Sequence, residues 1–484
     1  MTKDLIKRIA HIDQALRSHT DGYYNSRTFF TTRDDEAKAL VPYDINDLVL
    51  LAALTNSDLL LSGTTGAGKT HLSRMIMNGL YGSDGFTNLT VTPGLGESDF
   101  IDIDIASVKS GKKTPKQAIT TTPLLTQPGA IINEINRTPE ILQNVFISYL
   151  ERIFSLKGLE FPVGVGMLPG KDSPQDPHYQ FRLLSINEGP GYSGTSAIDR
   201  AVRDRVALEI PMDHFRPRKE DIRQMIRNRN DSDLAVEKIN GGKLEDVLKI
   251  IDLNTKIPLS VSADEFLVYL QGLSNCIRSA TYSMRGIEFD QKDLCKGCHH
   301  VKDAVSDKGN ICGSVYSPSD RSMINLKKIG RMVSALRAYK VINGVINGEF
   351  GDQEMSQREA KKFVDKYTEG LQVELDDLIS VAPFVLANKT VMDPRWVSQY
   401  FQGSKFLATQ HLLDTVRKKF THWVGSPAYE ALVKARGKFT PEVRAEIEKY
   451  VTGTDAWAYN LGDLAGNGYR PGNRDVSKLE QALS

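Results

Sequence analysis

Leu59-Leu60-Leu61-Ser62 runs directly into Gly63-Thr64-Thr65-Gly66-Ala67-Gly68-Lys69-Thr70-His71, so an apolar segment is followed at once by a glycine-rich loop. The apolar segment predicts a buried strand, and the residues from His71 to Leu80 predict a helix. Glycines let backbone N–H groups approach an anion closely, and the N-terminus of a helix adds a favourable field. A strand, a Gly-x-x-x-x-Gly-Lys-Thr loop and a helix in this order are typical of a phosphate-binding loop. The sequence therefore predicts that residues 63–71 bind ATP.

Two side chains of this loop have specific predicted roles. Lys69 is expected to neutralise the β and γ phosphates, and the Thr70 hydroxyl is expected to ligate Mg²⁺. The alternative is a glycine-rich turn with a chance lysine, which the flanking strand and helix disfavour. ATP and Mg²⁺ are thus the predicted cofactors.

A second apolar segment, Gly129-Ala130-Ile131-Ile132-Asn133-Glu134, ends in polar side chains. Glu134 is predicted to act as the general base that polarises the attacking water. Asn133 occupies the preceding position, where a carboxylate commonly helps to hold Mg²⁺. An amide offers a carbonyl oxygen but no charge, so Asn133 predicts weaker metal binding and slow turnover.

Two further segments predict polar side chains near the γ phosphate. Phe181 to Ile186 predicts a strand that ends at Asn187, whose amide is expected between the γ phosphate and the water. The segment from Ala201 to Val206 carries an arginine expected to reach a neighbouring subunit's nucleotide and stabilise charge on the transferred phosphoryl group. Arg205 is the first candidate, with Arg200 and Arg203 as alternatives, because arginines at helix ends are also common in solvated ion pairs.

The order of strands and helices predicts an α/β fold. The predicted strands are Asp58–Ser62, Leu89–Val91, Ala130–Asn133, Phe181–Ile186 and Val206–Ile210. Strands that alternate with helices form a parallel sheet with helices on both faces. The predicted domains are an N-terminal helical arm (1–40), a nucleotide-binding α/β domain (41–215), a helical lid (216–346) with a Cys-rich insertion at about 276–314, and a C-terminal helical extension and tail (347–484). In that extension, Phe363, Tyr367, Leu371 and Leu375 follow helical spacing.

The composition excludes few classes of protein. The 484 residues carry a formal net charge of +1, so bulk charge does not indicate a nucleic-acid or anionic-membrane partner. No segment approaches the roughly 18 to 20 apolar residues of a spanning helix, and the first residues lack the apolar core of a signal peptide. These features predict a cytoplasmic protein without a membrane span.

The four cysteines cluster in one segment. They are Cys276, Cys295, Cys298 and Cys312, and His299 and His300 lie beside them. The Cys-x-x-Cys spacing allows two sulfurs to bind one tetrahedral metal, which predicts a structural Zn²⁺ held by Cys295, Cys298 and Cys312 and completed by Cys276 or a histidine. An iron–sulfur cluster and unligated thiols are the alternatives.

Three separated motifs resemble the MoxR-like branch of the AAA+ ATPases over roughly Pro42 to Lys340. They are Val91-Thr92-Pro93-Gly94-Leu95-Gly96-Glu97-Ser98-Asp99-Phe100, Glu134-Ile135-Asn136-Arg137, and Gly194-Thr195 with Asp204-Arg205. The resemblance implies an AAA+ domain followed by a helical lid, with Asn187 as sensor 1, Arg205 as the arginine finger and Arg321 as sensor 2. The chain departs from the family at Asn133, lacks the usual proline after the sensor asparagine, and has a longer segment from Gly164 to Tyr179.

The resemblance also implies a function. Members of this branch typically form hexameric rings, hydrolyse ATP at subunit interfaces and remodel, mature or activate a protein client, often with a partner that carries a von Willebrand A domain. Two alternatives remain open from the residues. One is a nucleotide-gated ring or scaffold with little turnover, because of Asn133; the other is a nucleic-acid-associated motor.

Overall fold

The computed structural model describes residues 2–20, 27–114, 117–138, 143–156, 158–171, 173, 176, 178–188, 198–228, 242–272, 318–347, 357–390, 392–424, 427–434, 441–442 and 445–446. The described strands are β1 Phe30–Asp34, β2 Ala39–Tyr43, β3 Leu59–Gly63, β4 Phe86–Thr90, β5 Ile101–Ile103, β6 Ile119–Thr121, β7 Gly129–Asn133, β8 Ile153–Leu156, β9 Leu159–Pro162, β10 Val165–Met167, β11 His178–Tyr179, β12 Phe181–Asn187 and β13 Leu208–Pro211.

The described α-helices are α1 Thr2–Thr20, α2 Ile45–Ala53, α3 Lys69–Tyr81, α4 Ile105–Lys109, α5 Pro123–Thr126, α6 Gln143–Leu150, α7 Arg200–Arg205, α8 Lys219–Asn228, α9 Gly242–Thr255, α10 Val261–Gly272, α11 Asp320–Ile346, α12 Gln357–Glu369, α13 Leu375–Leu386, α14 Pro394–Phe401, α15 Lys405–Val424 and α16 Pro427–Lys434. The chain forms two compact units. The first comprises Met1–Pro258 and Lys328–Gln372, and the second comprises Leu259–Lys327 and Val373–Ser484.

A five-stranded parallel sheet forms the centre of the first unit, in the order β13-β3-β12-β7-β4. The predicted parallel sheet is therefore confirmed, with strand bounds that differ by a few residues from the expectation. β3 and β7 are buried along their whole length. Burial on both faces is the normal environment of a parallel sheet, and it explains why these strands are continuous apolar runs.

The strand register aligns the carboxyl ends of the sheet. Asn187 pairs with Gly63, and Pro211 pairs with Ser62. On the other side Thr90 pairs with Asn133. The polar residues that follow these strands therefore meet at one edge, which is where open α/β sheets bind ligands.

An aromatic core packs against one face of the sheet. Phe100 stacks on Phe154 with ring centroids 4.7 Å apart, and it also contacts Phe146 and Tyr149. Leu95 belongs to the same cluster. The apolar residues of the 91–100 motif thus anchor the connection between β4 and the hairpin β5–β6 in the core.

Helix α1 packs tightly on α3. Its apolar face is buried at Leu5, Ile9, Ile12 and Leu16. The backbones approach so closely that a Cβ placed on Gly79 would lie 3.2 Å from the Leu16 Cα. Only glycine fits at this contact without displacing α1.

Helices α10, α13, α14 and α15 belong to the second unit. Phe266 contacts Phe420 edge-on, and Trp396 contacts Phe401 in the same way. The helical stripe predicted from Phe363 to Leu375 is not one helix, because α12 ends at Glu369 and α13 begins at Leu375. The side chain of Asp377 accepts from the backbone N–H of Glu374 and so caps the start of α13.

A buried charge cluster lies at the amino ends of the strands. Arg182 is fully buried within β12 and donates from Nε to Asp58 Oδ1 at 2.7 Å and from Nη2 to Asp58 Oδ2 at 2.8 Å. Arg152 donates to the same carboxylate at 3.1 Å and to the carbonyl oxygen of Asn56 at 3.0 Å. This fork explains how an arginine occupies a strand predicted to be apolar, because a buried charge needs a paired partner.

Lys328 adds a third cation to this cluster. Its Nζ donates to the same Asn56 carbonyl oxygen at 3.1 Å. Burial and the nearby Arg152 guanidinium lower the pKa of Lys328 to about 7, against the opposing effect of Asp58. The folded chain therefore disfavours the charged amine.

No helix among the described residues combines the length and the apolar composition needed to cross a bilayer.

Replacing Lys328 with glutamine should change how stability depends on pH. Between a folded pKa of about 7 and an unfolded pKa of about 10.4, the unfolded chain holds a proton that the folded chain has lost. Wild-type stability should therefore rise with pH in this window, by at most about 1.4 kcal/mol per pH unit. Denaturant unfolding should show the advantage of Lys328→Gln over wild type to be largest below pH 7 and to shrink by about pH 9.

The matched control is Lys361→Gln, which changes an exposed lysine on α12. Its stability relative to wild type should stay constant over the same pH range. A constant gap for Lys328→Gln would contradict the assignment of a depressed lysine pKa to this cluster.

Candidate active site

The loop between β3 and α3 has the backbone geometry of an anion cradle. Gly66 and Gly68 have φ angles of 85° and 78°, a left-handed conformation that favours glycine. Helix α3 begins at Lys69, with Gly68 as its N-cap. The predicted binding residues Thr64, Thr65, Gly66, Ala67 and Gly68 thus lie between a strand end and a helix N-terminus, where backbone N–H groups and the helix dipole favour an anion.

The Lys69 side chain is directed into this loop. Its Nζ donates to the carbonyl oxygens of Gly63 and Thr64, both at 2.8 Å. Thr70 and His71, in the first turn of α3, are exposed. The ammonium group and the Thr70 hydroxyl are therefore both placed beside the cradle.

Asn133 connects the loop to the neighbouring strands through neutral groups. Its Oδ1 accepts from the Thr70 hydroxyl at 3.4 Å and from the Ser185 hydroxyl at 3.2 Å. Its Nδ2 donates to Asn88 Oδ1 at 2.8 Å. The structure thus brings together Thr70 and Asn133, the two residues predicted on the metal side of the site.

Glu134 has an unusual backbone and a well-held carboxylate. Its φ angle of 59° is left-handed, which costs a non-glycine residue of order 1 kcal/mol or more. The Nδ2 of Asn187 donates to Glu134 Oε1 at 2.8 Å, and Arg137 Nε pairs with Oε2 at 2.7 Å. The predicted base and the predicted sensor are therefore in direct contact, and the strained turn aims the carboxylate at the strand edge.

The three candidate arginines lie on α7 and differ in their contacts. Arg205 pairs with Glu151 and donates from Nη1 to the Ala201 carbonyl oxygen at 2.8 Å. Arg203 pairs with Glu188 and with Glu209. Arg200 is exposed and makes no ion pair with any residue that the structure describes. The choice of Arg205 as the finger remains a prediction.

Arg321 belongs to the second unit, where it is exposed in the first turn of α11. Its role as sensor 2 remains a prediction.

Three residues at the site were not anticipated from the sequence. They are Asn88, Ser185 and Asp213. Asp213 follows β13, and its Oδ2 and Oδ1 accept from the Thr64 backbone N–H at 2.9 Å and from the Thr64 hydroxyl at 2.8 Å. The sequence does carry a feature that points to Asp213. Like Asn187, it is a polar residue that follows an apolar strand segment closely.

The predicted zinc site lies outside the residues that the structure describes, as do all four of its candidate ligands, Cys276, Cys295, Cys298 and Cys312. Within the described ranges, no group of three or more His, Cys, Asp or Glu side chains could hold a metal ion. The zinc site therefore stays a prediction.

Solved structures provide the comparison that bears on the fold. A protein from Cytophaga hutchinsonii ATCC 33406 that is provisionally assigned as an ATPase matches with a TM-score of 0.51 and 16% identity, over 85% of this chain and 96% of that chain. The chain has the AAA+ fold. An MCM homologue from Methanopyrus kandleri aligns at a TM-score of 0.32 and 9% identity, over 68% of this chain and 55% of that chain. No protein-family model matches the sequence, and no curated protein sequence matches it.

Converting Asn133 to aspartate should strengthen Mg²⁺ binding at the predicted site. A carboxylate near the Thr70 hydroxyl adds a charge that the amide lacks, and hard divalent cations prefer charged oxygen ligands. Mg²⁺ should raise the ATP affinity of the wild-type protein by a certain factor, and we expect that factor to be about tenfold larger in Asn133→Asp. Calorimetric titration with Mg²⁺ and with a chelator measures this gain.

Asn88→Asp is the matched control, because it puts the same charge one hydrogen bond further from Thr70. Its effect on the Mg²⁺ dependence should be clearly smaller. Equal effects from the two variants, or none from Asn133→Asp, would argue against placing the metal beside residue 133.

Proposed function

We propose that this chain is an ATP hydrolase that binds ATP with Mg²⁺ at residues 63–70 and uses Glu134 as the general base. The observation that carries the proposal is the contact between Asn187 Nδ2 and Glu134 Oε1 at 2.8 Å, at the strand edge that also holds the loop. A general base must be oriented within hydrogen-bond reach of its water, and a polar sensor beside it serves that purpose.

The loop side of the site suits the polyphosphate. Backbone N–H groups at the start of α3 would face the anion, and Lys69 would supply a positive charge. The Thr70 hydroxyl and the Asn133 carbonyl oxygen, 3.4 Å apart, are oxygen donors of the kind that Mg²⁺ accepts. When bound, Mg²⁺ neutralises charge on the β and γ phosphates.

Glu134 is held for proton abstraction. Asn187 and Arg137 each bind one of its carboxylate oxygens, which fixes the plane of the group. Each carboxylate oxygen has a second lone pair, so a water can still donate to it. Ser185 accepts from the Glu134 backbone N–H at 3.3 Å and supports the strained turn.

The arginine requires a neighbouring subunit, so we propose a homo-oligomeric ring, with six subunits as in the family that the sequence resembles. Arg205 of one subunit would then complete the site of the next. Its present partner, Glu151, is about half exposed at 48%. The Arg205 side chain itself is only 15% exposed, so it would have to leave Glu151 to reach a phosphate of the next subunit.

The resemblance to MoxR-like proteins supports a finer proposal. The ring would use ATP to remodel, mature or activate a protein client in the cytoplasm, with a partner that carries a von Willebrand A domain. Arg321 would act as sensor 2, and the cysteines would fold their segment around Zn²⁺. These assignments rest on sequence motifs alone.

One observation favours a second candidate function. The network around Asn133 is entirely neutral, formed by Thr70, Ser185 and Asn88. Without a carboxylate beside the Thr70 hydroxyl, Mg²⁺ would be bound more weakly, and hydrolysis would be slow. ATP could then hold a ring together as a scaffold with little turnover.

Glu134→Gln should separate these two functions. Loss of the base should lower steady-state phosphate release by at least about a hundredfold, while ATP affinity stays within about twofold of wild type. The control is Glu160→Gln, an exposed glutamate on β9 that should leave the rate unchanged. A wild-type rate equal to that of Glu134→Gln would favour the scaffold, and stimulation by DNA or RNA would favour a nucleic-acid motor.

Arg205→Ala should keep ATP affinity and lower turnover by about a thousandfold, as expected for an arginine that stabilises the transferred phosphoryl group. Because Arg205 would act across a seam, mixing Arg205→Ala with Glu134→Gln subunits should restore some activity at seams where both intact residues meet. Phosphate release from mixtures of defined ratio measures this recovery.

Arg203→Ala and Arg200→Ala are the matched variants for this test. Normal turnover by Arg205→Ala would reject Arg205 as the finger. A large loss in Arg200→Ala instead would assign that role to the exposed arginine at the start of α7.

A further inference from the structure

The peptide unit that joins Gly63 to Thr64 lies between two opposite charges. Its carbonyl oxygen accepts from Lys69 Nζ at 2.8 Å and from the Glu188 backbone N–H at 3.2 Å. Its N–H donates to Asp213 Oδ2 at 2.9 Å. A carboxylate and an ammonium group are therefore connected through one peptide group.

Both carboxylate oxygens of Asp213 contact Thr64. Its Oδ1 accepts from the Thr64 hydroxyl at 2.8 Å, in addition to the backbone contact of Oδ2. The neighbouring Met212 backbone N–H donates to the Ser62 carbonyl oxygen at 2.8 Å, which ties the end of β13 to β3. The backbone next to Asp213 is thus held against the end of β3.

The close approach explains the glycine at position 63. A Cβ built there would lie 3.2 Å from Asp213 Oδ2 and 3.3 Å from the Met212 Cβ. Its φ angle of 147° also lies in a region that side chains rarely adopt. Gly63 is therefore needed for the carboxylate contact as well as for the loop.

The charges at the two ends of the peptide reinforce each other. A negative group at the N–H and a positive group at the carbonyl oxygen both favour the same orientation of the peptide dipole, and hydrogen bonds in such a chain strengthen one another. Hydrogen bonds with an ionised partner are about twice as strong as neutral ones. Loss of the Asp213 charge should therefore weaken the hold of the Gly63 carbonyl on Lys69.

We propose that Asp213 is a positioning residue for the phosphate-binding lysine, acting through the Gly63–Thr64 peptide. This inference deepens the proposed function and rests on its nucleotide site. Asp213 orients the Gly63–Thr64 peptide, and the carbonyl oxygen of this peptide positions the Lys69 ammonium group that would bind the β phosphate. The carboxylate serves nucleoside di- and triphosphates, because AMP lacks the β phosphate that Lys69 would contact.

Asp213→Asn separates charge from hydrogen bonding. An asparagine can still accept from the Thr64 N–H and can donate to the Thr64 hydroxyl, which is also an acceptor. We expect this variant to weaken ADP and ATP affinity by about three- to fivefold, whereas Asp213→Ala, which removes both bonds, should cost about tenfold or more. AMP affinity should not change. Isothermal titration with the full-length chain and Mg²⁺ measures each constant.

Kinetics distinguish positioning from a purely structural role. KM for ATP should rise in parallel with the dissociation constant, while kcat stays within about twofold, because Glu134 and Asn187 are not touched by Asp213. The control is Asp393→Asn, another carboxylate that accepts a backbone N–H, from Arg395 at 2.8 Å in the second unit. The Asp393→Asn variant should lose about as much thermal stability as Asp213→Asn but should keep the wild-type affinity for ADP.

Thr64→Val provides an independent variant. It removes only the hydroxyl contact, so we expect about a twofold to threefold loss of ADP affinity and no further loss when it is combined with Asp213→Ala. This variant carries the test if the Asp213 variants fail to fold, and unchanged affinity in it would then overturn the inference.

The outcomes separate this inference from the function on which it rests. Wild-type protein without ADP affinity would overturn both. Wild-type protein that binds ADP, together with Asp213→Asn and Asp213→Ala variants that bind it equally well, would overturn only the role of Asp213.

Discussion

The parallel pairing of β3 with β12 is the constraint on which the site depends. Because Asn187 is in register with Gly63, the Asn187 amide and the first glycine of the loop leave the sheet at the same level. β7 pairs on the other side of β12, so Glu134 leaves beside Asn187. A shift of one residue in either pairing would turn every side chain of the strand to the opposite face and separate Glu134 from the loop.

The two ends of the sheet carry different kinds of charge. At the amino ends, Asp58 binds the buried Arg182 through a fork and also pairs with Arg152, so the strand starts are locked by ionised groups. At the carboxyl ends, the side chains bond one another but present lone pairs and N–H groups outward. Breaking a buried pair leaves an uncompensated charge, so the fixed end resists change while the other end remains available for chemistry.

Neutral groups surround Asn133, on the side of the site predicted to hold Mg²⁺. Asn133 accepts from Thr70 and Ser185 through its Oδ1 and donates to Asn88 through its Nδ2. An aspartate at this position would lack the Nδ2 donor. A carboxylate that contacts the loop directly is that of Asp213, which follows β13 on the other side of β3. The Asp213 carboxylate and the Lys69 ammonium group therefore lie at opposite ends of the Gly63–Thr64 peptide, while the groups around Asn133 carry no charge.

The glycine spacing of residues 63–68 and the apolar runs of the strands are local properties, so the chain order alone indicated the loop, the parallel sheet, and Lys69, Thr70, Asn133, Glu134 and Asn187. Contacts between residues distant in sequence could not be read in the same way. Asp213 lies 149 positions from Thr64, and Glu151 lies 54 positions from Arg205. Arg182 interrupts an apolar strand in the sequence, and only the fold places Asp58 beside it. Periodicity reports which face a residue occupies, whereas only the folded sheet, through its register and strand order, brings particular partners within hydrogen-bonding distance.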